Sequence, residues 1–138
     1  MEKSDSVVII PTYNEKENIE SIIRAVRGLE AHDFEILIID DGSPDGTADI
    51  VKRLMAGEFK DKLHLVERQG KLGLGTAYIA GFKWALEHGY DYIFEMDADF
   101  SHDPNDLPRL YNACAKDGYD VAIGSRYVSG VNVVNWPM

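Results

Sequence analysis

Short apolar runs that alternate with stretches of three-and-four spacing restrict this chain to very few architectures. Residues 6–10 (SVVII), 34–39 (FEILII), 63–66 (LHLV), 92–96 (YIFEM) and 120–123 (DVAI) are brief, mostly apolar and rich in β-branched or aromatic side chains, as buried strands are. Pro11 stops the first run, because proline has no N–H to give to a ladder. Between the runs, Ile19, Ile22, Ile23, Val26 and Leu29 put one apolar stripe on a helix that Asn14 or Glu15 would open. Ala48, Val51, Leu54 and Met55 mark a second helix; Leu74, Ala77, Tyr78, Gly81, Phe82 and Ala85 mark a third, which Gly89 ends. Pro104 suits the first turn of a fourth, striped by Leu107, Leu110, Tyr111 and Cys114 and closed by Gly118. This alternation predicts an α/β fold: a Rossmann-like, mostly parallel sheet with helices on both faces, since right-handed crossovers are nearly obligatory. Residues 130–138 (GVNVVNWPM) show no clear period and receive no element.

A length of 138 residues fits one domain. With 45% hydrophobic and 28% charged residues the chain can build a packed core and lies far from disordered compositions. Fourteen basic residues against 24 acidic ones leave a net charge of −10. That balance argues against nucleic acid as a partner, and an anionic ligand would need a metal or local cations. The single cysteine, Cys114, excludes an intrachain disulfide or a zinc cluster, fits a reducing cytosolic setting, and is assigned to helix packing. No stretch approaches the ~20 apolar residues of a membrane span, and residues 1–6 lack a signal-peptide core, so a soluble chain is expected.

In open parallel sheets ligands bind beyond the carboxyl ends of the strands. Those positions hold Thr12-Tyr13-Asn14-Glu15, Asp40-Asp41-Gly42-Ser43, Asp97-Ala98-Asp99 and Ser125-Arg126-Tyr127. Asp97 and Asp99 flank one residue, so in an extended segment both face one side and can share a cation, and hard oxygen ligands select Mg2+ or Mn2+. Alone, Asp-x-Asp reads equally well as a solvated loop with helix-capping carboxylates; its place at a strand end favours the metal. The pairs Asp40/Asp41 and Asp97/Asp99 would repel in a water-poor site without a cation or fixed donors. Residues 41–47 (DGSPDGT) favour tight turns and a helix cap. One of Asp40 and Asp41 is therefore expected to serve the turn and the other to stay free for a ligand. Gly70, Gly73 and Gly75 match neither the P-loop nor the dinucleotide fingerprint and are left to close backbone approach or helix entry beside the ligand, or equally to packing. Arg126 and Lys71 are the cations best placed to meet phosphate, although Arg126 also reads as a surface charge. His102 is left to a solvated or capping role.

The motifs VVIIPTYNE (7–15), IIDDGSPDGT (38–47), GKLGLGTAY (70–78), MDADFSHDP (96–104) and GSRYVSG (124–130) run along almost the whole chain. In this order they resemble the family 2 glycosyltransferases of GT-A fold, above all the polyprenol-phosphate (dolichol-phosphate) mannosyltransferases. The resemblance implies that Pro11, Tyr13, Glu15, Ile39 and Asp41 hold the base and ribose of a nucleotide sugar. It implies that Asp97 and Asp99 hold Mg2+ or Mn2+ on the donor diphosphate with Ala98 near the nucleotide, and that Asp99 and Arg126 act in catalysis, Arg126 beside the reacting phosphates. Ser101 stands where some relatives have Gln, so no third protein ligand is carried over.

The implied reaction moves mannose from GDP-mannose to a dolichyl or polyprenyl phosphate with inversion. A phosphate monoester has a second pKa of about 6 and is largely ionised at neutral pH, so the acceptor needs no strong general base. Two alternatives stand beside this: a UDP-sugar-dependent family 2 enzyme acting on a polyprenyl phosphate or glycan, and a non-catalytic nucleotide-sugar-binding fragment. The family's catalytic domain continues past this point with basic and amphipathic elements that meet the membrane and the lipid acceptor. Residues 1–138 are thus expected to be a nucleotide-sugar-binding domain truncated at its C-terminus, working at the cytoplasmic face of a membrane. Peripheral membrane contact falls to the absent part, and an exposed apolar edge would drive self-association.

Overall fold

The computed structural model describes residues 4–69, 74–98, 103–115, 121–123 and 132–135. Strands β1 (Ser6–Thr12), β2 (Phe34–Asp40), β3 (Leu63–Glu67) and β4 (Tyr92–Glu95) alternate with helices α1 (Ile19–Arg27), α2 (Thr47–Ala56) and α3 (Leu74–Glu87). A 3-10 turn (Pro104–Asp106) leads into α4 (Leu107–Ala115), and β5 (Val121–Ile123) and β6 (Asn132–Asn135) follow. The sheet order is β3-β2-β1-β4-β6-β5. The first four strands are parallel, and β6 runs antiparallel to both β4 and β5. The expected α/β layout holds, with β6 as a strand the periodicity missed. Its four residues (NVVN) are too few to show a period, and pairing on both sides, not local patterning, fixes them.

Side-chain alternation splits the core in two. Even-numbered positions of β1 and β2 (Val8, Ile10, Ile36, Ile38) pack with α1, α2 and α4 through Ile22, Ile23, Val51 and Leu107. Odd-numbered positions (Val7, Ile9, Leu37, Ile39) meet Ala77 and Ala85 of α3. The helix comes close because Gly81 has no Cβ: one placed there would lie 2.6 Å from the buried Ile9 side chain.

Several strand ends shift by one residue from the sequence reading, and two boundaries differ in ways that shape the site. Helix α1 begins at Ile19, not at Asn14 or Glu15, because Asn14 takes a left-handed φ of 55° and its N–H is spent on Ser43 Oγ at 2.9 Å. The Glu15 carbonyl then receives the Asn18 and Ile19 N–H groups, which makes residues 14–18 a loop. Strand β1 also runs through Pro11 to Thr12 instead of stopping. On the β4 side, Ile9 accepts from the Met96 N–H (3.0 Å), and Pro11, two residues on, faces the same way without an N–H to continue. On the β2 side pairing continues, and Thr12 accepts from the Asp41 N–H at 3.1 Å. Pro11 therefore ends one ladder only, the one between β1 and β4, where the strand order reverses. Gly118, expected to close α4, lies outside the described residues, as does the side chain of Cys114.

At the opposite, amino edge Glu35 is 1% exposed. It accepts hydrogen bonds from Tyr90 (2.5 Å), the Ser4 N–H (2.6 Å) and His64 Nε2 (2.8 Å). Burial alone would raise its carboxyl, but the bonds from His64, Tyr90 and Ser4 outweigh burial and hold it below its ordinary 4.5. Burial and Asp5 push the Tyr111 phenol up to about 12 from 10.0. A depressed carboxyl gives stability that is present above its unfolded value and lost as pH falls through the folded one; a raised phenol gives stability present below its unfolded value and lost as pH rises. The melting temperature is thus expected to hold between about pH 5 and pH 10 and to fall on both sides. Glu35→Gln should flatten the acid limb, and thermal melts across pH check this.

Candidate active site

The carboxyl ends of β1, β2, β3 and β4 lie side by side, with Pro11 opposite Ile39, Thr12 opposite Asp40, and Asp40 opposite Glu67. Ile9 pairs with Glu95, so Asp97, two residues later, emerges level with Pro11 at the point where the strand order reverses. This is the edge at which such sheets bind ligands.

Asp40 and Asp41 point to opposite faces and do different work. Asp40 is 1% exposed; it accepts from Thr12 Oγ1 (2.6 Å), Ser43 Oγ (2.7 Å) and the Ser43 N–H (3.0 Å). It is the turn aspartate, as expected. Asp41, however, is not free. Arg68, just beyond β3, grips it with a two-pronged pair, Nε to Oδ1 at 2.7 Å and Nη2 to Oδ2 at 2.9 Å. A buried carboxylate at a crowded strand end needs such a cation. Ionised oxygens carry about four lone-pair sites, so Asp41 can still accept from a ligand.

The first turns of α3 gather the acidic groups. Thr76 Oγ1 accepts from Arg68 Nη1 at 3.2 Å, and the Tyr78 hydroxyl donates to Asp97 Oδ1 at 3.0 Å. Asp41, Arg68 and Asp97 thus share the α3 face of the sheet. The sequence reading missed Arg68 and the roles of Thr76 and Tyr78. Arg68 follows the third strand as the acidic motifs follow theirs, and that position was the available signal.

Tyr13 and Glu15 are half-buried in the loop after β1, and Pro11 is half-buried at its end. Ile39 is fully buried in the α3-side core and Ala98 is 4% exposed, so their side chains do not reach outward. Gly75 lies in the first turn of α3 with open space around it. Asp99, Arg126, Lys71, His102, Ser101, Ser125, Tyr127, Gly70 and Gly73 lie outside the described residues. Among the described residues no group of three His, Cys, Asp or Glu forms a cage. Asp97 nonetheless offers hard carboxylate oxygens, and Mg2+-like ions are commonly held by one or two carboxylates plus substrate phosphates. The donor chemistry at this strand end fits such an ion.

A serine, a histidine and an aspartate also meet at the amino edge, without triad geometry. Ser6 Oγ and Asp5 Oδ1 approach the same ring nitrogen, His32 Nε2, at 3.0 and 2.9 Å. Ser6 is fully buried and donates to Asp5. A relay needs the base and its orienting group on different nitrogens, so this cluster is structural.

Residues 7–138 match glycosyl transferase family 2. The chain belongs to this family. This family 2 chain is 49% identical over 132 residues to the polyprenol monophosphomannose synthase of Mycolicibacterium smegmatis, a match covering 96% of the chain and 49% of that protein. It is 43% identical over 131 residues to the dolichol-phosphate mannosyltransferase of Pyrococcus furiosus, covering 94% of the chain and 35% of that protein. It therefore spans half or less of the length of these relatives. The mannosyltransferase PcManGT from Pyrobaculum calidifontis, solved in complex with GDP-Man and Mn2+, matches with a TM-score of 0.74 at 19% identity, over 98% of this chain and 45% of that one. The fold is of GT-A type, as the motifs implied.

Proposed function

We propose that this chain is the donor-binding part of a metal-dependent, inverting mannosyltransferase that moves mannose from GDP-mannose to a polyprenyl phosphate. The observation that carries the reading is the gathering of Asp41, Arg68 and Asp97 onto the start of α3 at the switch-point edge, in a chain 49% identical to a polyprenol monophosphomannose synthase.

In this reading Pro11, Tyr13, Glu15 and Asp41 hold the base and ribose, with Ile39 and Ala98 contributing main chain, since their side chains are buried. Asp97 and Asp99 would hold Mg2+ or Mn2+, which when bound neutralises the diphosphate of the departing nucleotide. Tyr78 fixes the Asp97 carboxylate by its hydroxyl. Arg126 orients the reacting phosphates by a planar fork of donors. The acceptor phosphate attacks as an anion, so the chain's task is to position and screen two negatively charged substrates, with no proton to remove. Among the described residues no helix is long and apolar enough to cross a membrane, and the reading places the lipid acceptor at the cytoplasmic face.

Calorimetric titration with GDP and with UDP, each with and without Mn2+, tests the proposal. Metal-dependent preference for GDP is expected. Preference for UDP would move the chain to the UDP-sugar alternative, and no binding by a cooperatively melting chain would overturn the donor site.

A further inference from the structure

The loops after β1 and β2 are stitched together in one direction. Three consecutive N–H groups of the first loop donate to side chains of the second and of the first residue of α2: Asn14 to Ser43 Oγ (2.9 Å), Glu15 to Thr47 Oγ1 (3.1 Å) and Lys16 to Asp45 Oδ2 (3.1 Å). Both hydroxyls are oriented from behind. Ser43 Oγ donates to Asp40 Oδ1 at 2.7 Å, and Thr47 Oγ1 donates to Asp45 Oδ1 at 2.5 Å. A hydroxyl whose proton is committed to a carboxylate must present its lone pairs elsewhere, here to the first loop. Asp45 Oδ1 also takes the Thr47 N–H at 3.0 Å, which fixes the turn carrying it. Thr47 is fully buried, so its hydroxyl is held out of competition with water. The stitch holds Asn14 at a left-handed φ of 55°, a conformation that costs energy for a residue with a side chain.

We infer that Ser43, Asp45 and Thr47 are positioning residues for donor binding: they set the backbone of residues 14–16 and thereby aim Tyr13 and Glu15 at the nucleoside. None of the three needs to touch the ligand. The inference rests on the nucleoside-binding reading of Tyr13 and Glu15 given above.

The test uses the full chain and three variants, Thr47→Val, Thr47→Ser and Asp45→Ala, with two readouts. Hydrogen exchange at the Glu15 and Lys16 amides reports the stitch directly, without ligand. Loss of the bond should speed exchange about tenfold in Thr47→Val and Asp45→Ala, with strand amides unchanged. GDP titration in Mn2+ should show a Kd about tenfold weaker in the same two variants, since a displaced loop loses pre-arranged contacts. Thr47→Ser keeps the hydroxyl and should restore both readouts, which a mere packing role for Thr47 would not predict. Unchanged exchange would overturn the stitch. Faster exchange with unaltered GDP affinity would overturn the positioning role. Failure of the unsubstituted chain to bind GDP or UDP would overturn the nucleoside reading itself, together with what rests on it.

Discussion

Asp97→Ala is expected to abolish the Mn2+-dependent component of GDP binding, weakening it about 100-fold or more, while the chain keeps its cooperative melt. Groups that hydrogen-bond a metal's ligands are worth about 10–100-fold in affinity, so loss of a direct carboxylate ligand should exceed that range. The fold should tolerate the change, because β4 ends at Glu95 and Asp97 lies beyond its ladder. The structural loss would include the bond from Tyr78, worth about 1.5 kcal/mol for a charged acceptor. Tyr78→Phe removes that bond and keeps the carboxylate, so it should weaken the Mn2+ dependence by about tenfold only. The ratio between the two variants is the informative quantity. Equal, small effects on GDP binding from both would mean that Asp97 serves as an anchor for α3 and that the metal is held elsewhere. Titration of each variant with GDP at several Mn2+ concentrations separates these cases.

The sheet and helices were readable because their signals are local. An apolar β-branched run such as SVVII, or the stripe Ile19, Ile22, Ile23 and Val26, specifies period and burial within a few residues, and the core clusters contain these side chains. What escaped was set by non-local partners. Pro11 stays in β1 because only one neighbouring ladder needs its missing N–H, and which ladder that is depends on the strand order. Asn14 does not open α1 because Ser43, 29 residues later, captures its N–H. Short β6 is held between β4 and β5, not by its own pattern. The acidic strand ends were visible in sequence as unusual residues at predictable positions. Their countercharge was legible only as a basic residue after the third strand; that Arg68 pairs with Asp41 appears only once β2 and β3 lie side by side.

Arg68→Met should cost the fold about 3 kcal/mol, near the low end for breaking a buried ion pair, because the Arg68 side chain keeps some contact with solvent. The loss arises mainly from what remains: Asp41, 6% exposed, would be a buried carboxylate without its two-pronged partner. Removing the second charge should therefore help. The double variant Asp41→Asn with Arg68→Met is expected to recover about 2 kcal/mol of that loss, since taking away both members of a buried pair costs far less than taking away one. Nucleotide binding should not follow stability. If Asp41 accepts hydrogen bonds from the nucleoside, the double variant stays about tenfold weak for GDP, as expected for a lost bond to a charged group, although its fold has been restored. Chemical denaturation and GDP titration on the same three proteins separate the two roles. Parallel recovery of stability and affinity would make Asp41 a structural residue that reaches the ligand only through the loop it supports, whereas restored stability with persistent weakness places its carboxylate on the nucleoside.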